Sequence, residues 1–452
     1  MNSKAARRLE TWDKRYVWHP FTQMKEWRKG SVTVIEKGEG NTLIDTRGRR
    51  YLDGVSSLWC NVHGHRVKEI DAAVRQQLNR IAHSTFLGLS NPPAILLSKR
   101  LAEMAPRGLN KVFYSDSGSA SVEVALKMSF QYWKQKGHPE KKTFLKLKNA
   151  YHGDTLGSVS VGGINLFHEI FHPLLFKTFG VEAPYYYRDR FRGPFSDYAP
   201  YCAAKVETVL KKHHRAVCAL VAEPLMQGAA GMLNQPPGYL HLLRQLTRKY
   251  GIHLIVDEVA TGFGRTGSMF ACEKEKVSPD FLCVGKGITG GYLPLSATLA
   301  TQEVFDQFLG DTGEFKAFFH GHTYSANPLA CAAALASLDL FKKHRTLEKL
   351  KPKIDFLGKK LVEMSELEHV GDVRQVGLMA GIELVLDKKT KKPYDLARKI
   401  GFCVTLIARR NGLMIRPLGN VIVLMPPLSI TKSELKFLCR VVAESIQEST
   451  HG

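Results

Sequence analysis

No stretch of the chain reaches the run of about eighteen apolar residues that a membrane-spanning helix needs. The N-terminus, MNSKAARRLETWDKRYVW, is charged throughout and lacks the apolar core of a secretory signal. Cysteine is sparse: the eight residues, at 60, 202, 218, 272, 283, 331, 403 and 439, include no C-x-x-C pair. That scatter argues against a zinc ribbon or a disulfide framework and fits a reducing cytoplasm. Carboxylates are also short, 42 against 64 lysines and arginines, which leaves a net charge of +22. Such an excess can mark nucleic-acid or anionic-membrane binding. The basic residues, however, fall in short separate groups such as Lys134-Gln135-Lys136, Lys141-Lys142 and Lys388-Lys389-Thr390-Lys391-Lys392. No helix-turn-helix, RRM or zinc-finger pattern accompanies them, so a solvated basic surface is expected, with no nucleic-acid and no membrane partner. No metal is expected either, because His63 and His65 have no third ligand at useful spacing.

What is present is ordinary globular protein, 452 residues at 44% hydrophobic and 23% charged, long enough for two domains and a large core. Its organising stretch is IVDEVATGFGRTGSMFACEKEKVSPDFLCVGKGITGG, from Ile255 to Gly291. The apolar run His253 to Val256 ends in Asp257-Glu258, and Phe281 to Val284 ends in Gly285-Lys286-Gly287. Short apolar runs bounded by glycine and charge read as buried strands of an α/β sheet. Ligands of such sheets sit at the carboxyl ends of the strands, so Asp257 and Lys286 should face one crevice. A lysine between glycines can form a Schiff base with an aldehyde, and a neighbouring carboxylate can keep a pyridine nitrogen protonated. Gly262 to Gly267 fits G-x-G-x-x-G, but no convincing helix follows it, which argues against a dinucleotide fingerprint.

Along the chain, Val32 to Ile35 and Thr42 to Asp45 read as a small hairpin around a turn from Glu36 to Asn41. Lys111 to Tyr114 is a strand, broken by Ser115-Asp116-Ser117-Gly118-Ser119, and a helix follows over 120–136. Ser117, Gly118 and Ser119 at that helix start offer amides, hydroxyls and a favourable dipole to a phosphate. Further strands are expected at Thr143 to Leu147, Ala216 to Ala222 and Leu295 to Ala300, and an alanine-rich helix at Leu329 to Phe341. The last hundred or so residues look like a smaller α+β unit, with strands at 378–385 and 421–424 and a closing helix at 432–447.

DEVATGFGRTG followed by GKGITGG resembles the signature of the class III, pyridoxal-phosphate (PLP)-dependent aminotransferases. The strings WHPFTQM, SSLWCNVHGH, YHGDT and RPLGN extend the likeness from Trp18 to Pro427. They are most similar to the branch that aminates 8-amino-7-oxononanoate to 7,8-diaminononanoate in biotin synthesis. The resemblance implies PLP fold type I, with a large, mostly parallel sheet domain and a smaller α+β domain built from both chain ends. Residues 1–60 and 343–452 would form the small domain and 61–342 the large one.

It further implies Lys286 as the cofactor-binding lysine and proton carrier, Asp257 on the pyridine nitrogen and Tyr151 against the cofactor ring. Asp154, Glu223 and Arg265 would be supporting groups. Phe21 and Trp59 would wall the substrate's methylene chain, and Arg416 would bind its carboxylate. In the family the loop at 319–328 crosses a homodimer interface, and its threonine binds the phosphate of the other subunit's cofactor. Thr323 holds that position, with His322 beside it for the cofactor and Gly321 toward substrate, so two shared sites per homodimer are implied.

Members that use S-adenosylmethionine as amino donor commonly carry two adjacent tryptophans where this chain has Leu58-Trp59, and a tyrosine where Phe21 stands. These positions favour lysine over S-adenosylmethionine as donor. Ala260 replaces a glutamine that contacts the cofactor's phenolic oxygen in many relatives. Two rival readings are another class III enzyme acting on an ω-amino acid or diamine, and a PLP-sensing DNA-binding regulator. The regulator would need a DNA-binding domain for which the chain has no length left.

Overall fold

The structure, a computed structural model, describes residues 1–450. Seven strands form its central sheet: β1 Leu109–Ser115, β2 Thr143–Leu147, β3 Phe179–Val181, β4 Val217–Ala222, β5 His253–Asp257, β6 Phe281–Val284 and β7 Ser296–Thr301. Their order is β1-β7-β6-β5-β4-β2-β3. Strands β6, β5, β4, β2 and β3 run parallel, while β7 is antiparallel to both of its neighbours. β4, β5 and β6 are buried along their whole length, which is why they read as unbroken apolar runs rather than alternating ones. Asp257 pairs in register with Cys283, so the carboxyl ends of β5 and β6 finish side by side.

Helix α1, Gly118–Gln135, follows β1 and packs on the sheet through Val122, Ala125, Leu126, Ser129 and Trp133. Helix α2, Pro328–Lys343, starts where its sequence says it should. Asn327 caps it by accepting from the amides of Leu329 and Ala330, Pro328 fills the first turn, and Lys342 and Lys343 close the last. Gly262 to Gly267 forms turns with no α-helix after it, in keeping with rejection of the dinucleotide reading.

The two chain ends build one unit. Ile35–Glu39, Thr42–Asp45, Arg50–Asp53 and Leu413–Met414 form a four-stranded sheet in which Leu413 pairs in parallel with Leu52. A second sheet joins Val370–Val376, Met379–Asp387, Arg416–Leu418 and Val421–Leu424, with Lys392–Pro393 at its edge. Helices α3, Ile400–Arg410, and α4, Lys432–Thr450, pack on each other against these sheets. The hairpin expected at 32–45 is displaced. Its first strand covers Ile35–Glu39, most of what read as the turn, and the chain reverses over Gly40 and Asn41. Gly40 takes a φ of +54° there, a conformation glycine adopts without strain. Glu36, Lys37 and Glu39 are exposed, so the strand carries no apolar alternation to betray it.

Candidate active site

A cavity of about 430 Å³ opens at the carboxyl ends of β5 and β6. Lys286, Asp257, Tyr151, Trp59, Glu223 and the start of α1 line it. The loop from Tyr151, the turn at Trp59 and the end of β4 thus converge on the crevice that strand polarity predicts. At its helix end, Gly118 and Ser119 present first-turn amides that have no intrahelical acceptor. A Cβ on Gly118 would lie 2.5 Å from Val259, so only glycine lets the helix start approach this closely. Ser117 does not line the cavity; its hydroxyl caps the helix by accepting from the Ala120 amide at 3.3 Å. Ser119 exchanges a hydrogen bond with the Thr155 hydroxyl at 2.8 Å.

Asp257 is buried, and one carboxylate oxygen pairs with His152 Nδ1 at 2.7 Å while the other accepts the Val259 amide at 2.9 Å. His152 Nε2 is shielded from solvent and has no hydrogen-bond partner among the described residues. The sequence reading missed this histidine; its place directly after Tyr151 in YHGDT was the available signal. The adjoining carboxylate has a separate task. Glu258 accepts the amides of Ala271 and Cys272 at 2.6 and 2.8 Å and so braces the following turn.

Lys286 stands two residues beyond β6 at a φ of +40°, a strained value for a residue with a side chain. Burial holds its ammonium below the ordinary lysine range, with Asp257 and Glu223 pulling the other way. Its Nζ lies 5.0 Å from the centre of the Trp59 ring. Trp59 arrives on a contorted turn, with φ of +52°, +60° and +66° at Ser56, Ser57 and Trp59. Asp53, fully buried, holds that turn by accepting from the amides of Ser57 at 2.8 Å and Val55 at 3.3 Å and from His65 Nε2 at 3.0 Å. Ser56 donates to the Met425 carbonyl at 2.7 Å, and Met425 donates its amide to Gly54 at 2.9 Å. Arg265, buried, bridges the carbonyls of Asn61 at 2.5 Å and Pro426 at 2.7 Å, which ties the same two segments together. Asp53 also went unnoticed in the sequence, because its role depends on this turn. His63 and His65 serve structure: His63 Nε2 meets Ser337 and His65 uses both ring nitrogens on Asp53 and Asn61.

Glu223 accepts from the amides of Tyr151 at 3.1 Å and Gly228 at 2.9 Å, yet burial pushes its carboxyl up to about 7. Asp257 adds to the rise, and His152 and the two amides oppose it. Between the ordinary 4.5 and about 7 the folded chain keeps a proton that the unfolded chain has released, so stability falls as pH rises through that window. Glu223→Gln removes the titrating group. The cofactor-free variant should therefore gain on wild type by about 2–3 kcal/mol between pH 4.5 and 8. Parallel thermal melts check this, and a gap between the two proteins that does not change with pH contradicts it.

Other residues singled out from sequence divide into two groups. Tyr151 lines the cavity, donates to Asp154 at 2.7 Å and stacks on His168 at 6.1 Å between ring centres. Asp154 lines the cavity too, as does Ala260. Phe21 is exposed, but it meets Phe167 edge-on at 5.4 Å, and Phe167 meets His168 at 6.1 Å, so an aromatic chain links it to Tyr151. Arg416 is exposed, makes no ion pair among the described residues, and is near enough to Tyr151 to act on its hydroxyl. Gly321, His322 and Thr323 are exposed and outside the cavity, with His322 on Asp116 at 3.0 Å. No group of three or more metal-ligating side chains occurs among the described residues.

The cavity therefore has three poles: helix amides and a hydroxyl at one end, a buried carboxylate on one wall, and a depressed-pKa amine on another. A phosphate, a pyridine nitrogen and an aldehyde on one flat ring could each find a partner there, so the side chains fit PLP.

Comparisons with known proteins follow the same line. A model of the family described as aminotransferase class-III matches residues 24–446. The chain is 54% identical over 445 residues to a Geobacter sulfurreducens protein named adenosylmethionine-8-amino-7-oxononanoate aminotransferase, covering 98% of each. An Aquifex aeolicus protein of the same name is also 54% identical, with 97% of each chain covered. The crystal structure of the Methanocaldococcus jannaschii protein of that name superposes with a TM-score of 0.93 at 48% identity, covering 98% of this chain and 99% of that one. An (S)-enantioselective omega-transaminase from Thermomicrobium roseum gives 0.94 at 35% identity, with 98% of both chains covered. The chain belongs to the class III aminotransferase family.

Proposed function

We propose that this chain is a PLP enzyme that transfers an amino group to the 7-keto carbon of 8-amino-7-oxononanoate, giving 7,8-diaminononanoate. The observation that carries the reading is Lys286 and Asp257 at adjacent strand ends, sharing one cavity with the start of α1. The names of its near-full-length relatives supply the substrate. When bound, PLP supplies an aldehyde for amine exchange and a ring that takes up negative charge.

The chain's own residues do the rest. The amides of Gly118 and Ser119 and the Ser119 hydroxyl would hold the phosphate at the positive end of α1. The Asp257 carboxylate, steadied by His152, would face the ring nitrogen and favour its protonated form. Lys286, whose ammonium burial holds below the ordinary lysine range, would hold the aldehyde when PLP is bound and, once freed by the donor amine, would carry the proton of the donor carbon. Tyr151, its hydroxyl held by Asp154 and its backbone amide by Glu223, would lie against the ring. Trp59 and Phe21 wall the methylene chain. We read Gly321, His322 and Thr323 as completing the site of a second copy in a homodimer, since they lie outside the cavity of their own chain.

Arg416, which makes no ion pair among the described residues, is suited to the far carboxylate of the substrate. Arg416→Ala should raise KM for 8-amino-7-oxononanoate by about 10- to 100-fold with kcat changed less than about threefold. Steady-state kinetics test this, and an unchanged KM removes Arg416 from the substrate site.

For the donor, Leu58 and Phe21 support lysine, whereas the relatives' names support S-adenosylmethionine. Neither residue supplies the second indole or the phenol that an adenosyl group would meet. We take lysine as donor. Mixing the PLP-loaded enzyme with each compound separately and following the cofactor's visible absorbance tests it. Bleaching by lysine alone supports this assignment, and bleaching by S-adenosylmethionine alone replaces it while keeping the reaction. A response to neither points to a diamine or ω-amino acid donor.

A further inference from the structure

A second cavity, of about 510 Å³, lies in the unit built from the two chain ends and shares no lining residue with the site at Lys286. Residues 31–33 form one wall, Arg47 and Arg49 of the turn before Arg50–Asp53 another, and the last turn of α3 a third. Four arginines line it against a single carboxylate, Glu10. Three have acids of their own: Arg47 pairs with Glu10 at 2.6 Å, Arg49 with Asp45 at 2.9 Å and Arg410 with Glu448 at 2.7 Å.

Arg409 is the exception. It is half-buried, no carboxylate reaches it, and its Nε is shielded from solvent without an acceptor among the described residues. Burial and Arg49 both push its guanidinium below the ordinary arginine range. A place at the C-terminus of α3 favours a cation by about 0.3–1 kcal/mol. That term rewards a solvated arginine as well as a buried one, so it does not explain a guanidinium set among three others. A guanidinium with no carboxylate partner and an unfilled Nε donor, set in a cavity of arginines, is suited to take up an anion. Ser31 and Thr33, which also line the cavity, add hydroxyl donors.

We propose that this cavity binds a small anion bearing adjoining phosphoryl groups, with Arg409 as its principal contact. Arg409 carries the uncompensated charge, and Arg47, Arg49 and Arg410 beside it could each share its acid with a ligand, which favours an anion with several oxygens over a single carboxylate. The volume also exceeds what one phosphate fills.

The test uses the PLP-loaded enzyme, so that the helix-end phosphate position at α1 is occupied. Calorimetric titration at low salt with pyrophosphate, and separately with ATP, should show one saturable site per chain. Equal affinity for the two assigns recognition to the phosphate groups alone; tighter ATP binding adds the nucleoside, and both support the site. Arg409→Gln should weaken pyrophosphate at least tenfold, while Arg215→Gln, an exposed arginine on the large-sheet side, should not. No saturable binding, or equal weakening by both variants, overturns the proposal.

A second readout needs no variant. Cys403 lines this cavity and, among the described cysteines, is the most open to solvent. Saturating pyrophosphate should slow its alkylation by iodoacetamide at least threefold, read on the Cys403 peptide by mass spectrometry. Unchanged labelling means the anion does not occupy the cavity.

Discussion

Replacing Lys286 with alanine should lower turnover by about 10⁴-fold or more, because one amine serves both as nucleophile and as proton carrier. The protein should stay folded. The side chain removed is an amine in a cavity where burial disfavours its charge, and it makes no hydrogen bond among the described residues. Loss of activity with an unshifted melting curve therefore separates chemistry from structure. Lysine and alanine both carry a Cβ, so the strain of the φ of +40° is common to wild type and variant and does not shift the comparison. A variant that keeps a hundredth of wild-type kcat would remove Lys286 from both roles.

Asp257→Asn is expected to cost about 10²- to 10³-fold in kcat, the range for losing one buried electrostatic partner of a reacting group. Asparagine preserves the shape, and its carbonyl can still accept the Val259 amide. What disappears is the negative charge beside the cavity, and with it the anionic partner of His152 Nδ1. Because a buried charge is removed rather than created, the melting temperature should not fall by more than a few degrees. Single-turnover measurement of the donor half-reaction checks the rate. Near wild-type rates would show that the carboxylate does not act on the cofactor, while a folded protein with slow turnover supports its assignment.

Much of this was legible in the linear order of residues. The runs at 253–256 and 281–284 became β5 and β6 almost to the residue, because strands buried on both faces must be apolar throughout and must stop where charge begins. Asp257 and Lys286 came with them. The helix after Ser117 was legible from its cap and spacing. The expected hairpin slipped because Ile35–Glu39 is a charged, exposed strand whose pairing, not its pattern, defines it. Asp53 was hidden for another reason: its partners are amides in a turn of unusual φ, and no local periodicity announces such a turn. His152 was visible in its motif but lacked a stated partner until β5 was placed beside the loop that carries it. Gly321, His322 and Thr323 do not reach their own chain's cavity, and only the resemblance, not any pattern in the residues themselves, gave that loop a role.

The parallel pairing of Leu52 with Leu413, and the hold of Met425 and Pro426 on the segment around Trp59, carry a consequence for synthesis. These contacts join residues roughly 360 apart along the chain, so their loop-closure entropy is met only late in folding. On the ribosome, β1 to β7 and α1 emerge in full before the strand at 413–414 exists. The first fifty or so residues must therefore wait without their partner, and the Trp59 wall forms only when the last tenth of the polypeptide has left the exit tunnel. A nascent chain arrested near residue 400 would carry Lys286, Asp257 and the start of α1 and still lack a closed site. Such a chain guards against premature chemistry and, for the same interval, leaves the open strand edge at Arg50–Asp53 exposed to mispairing.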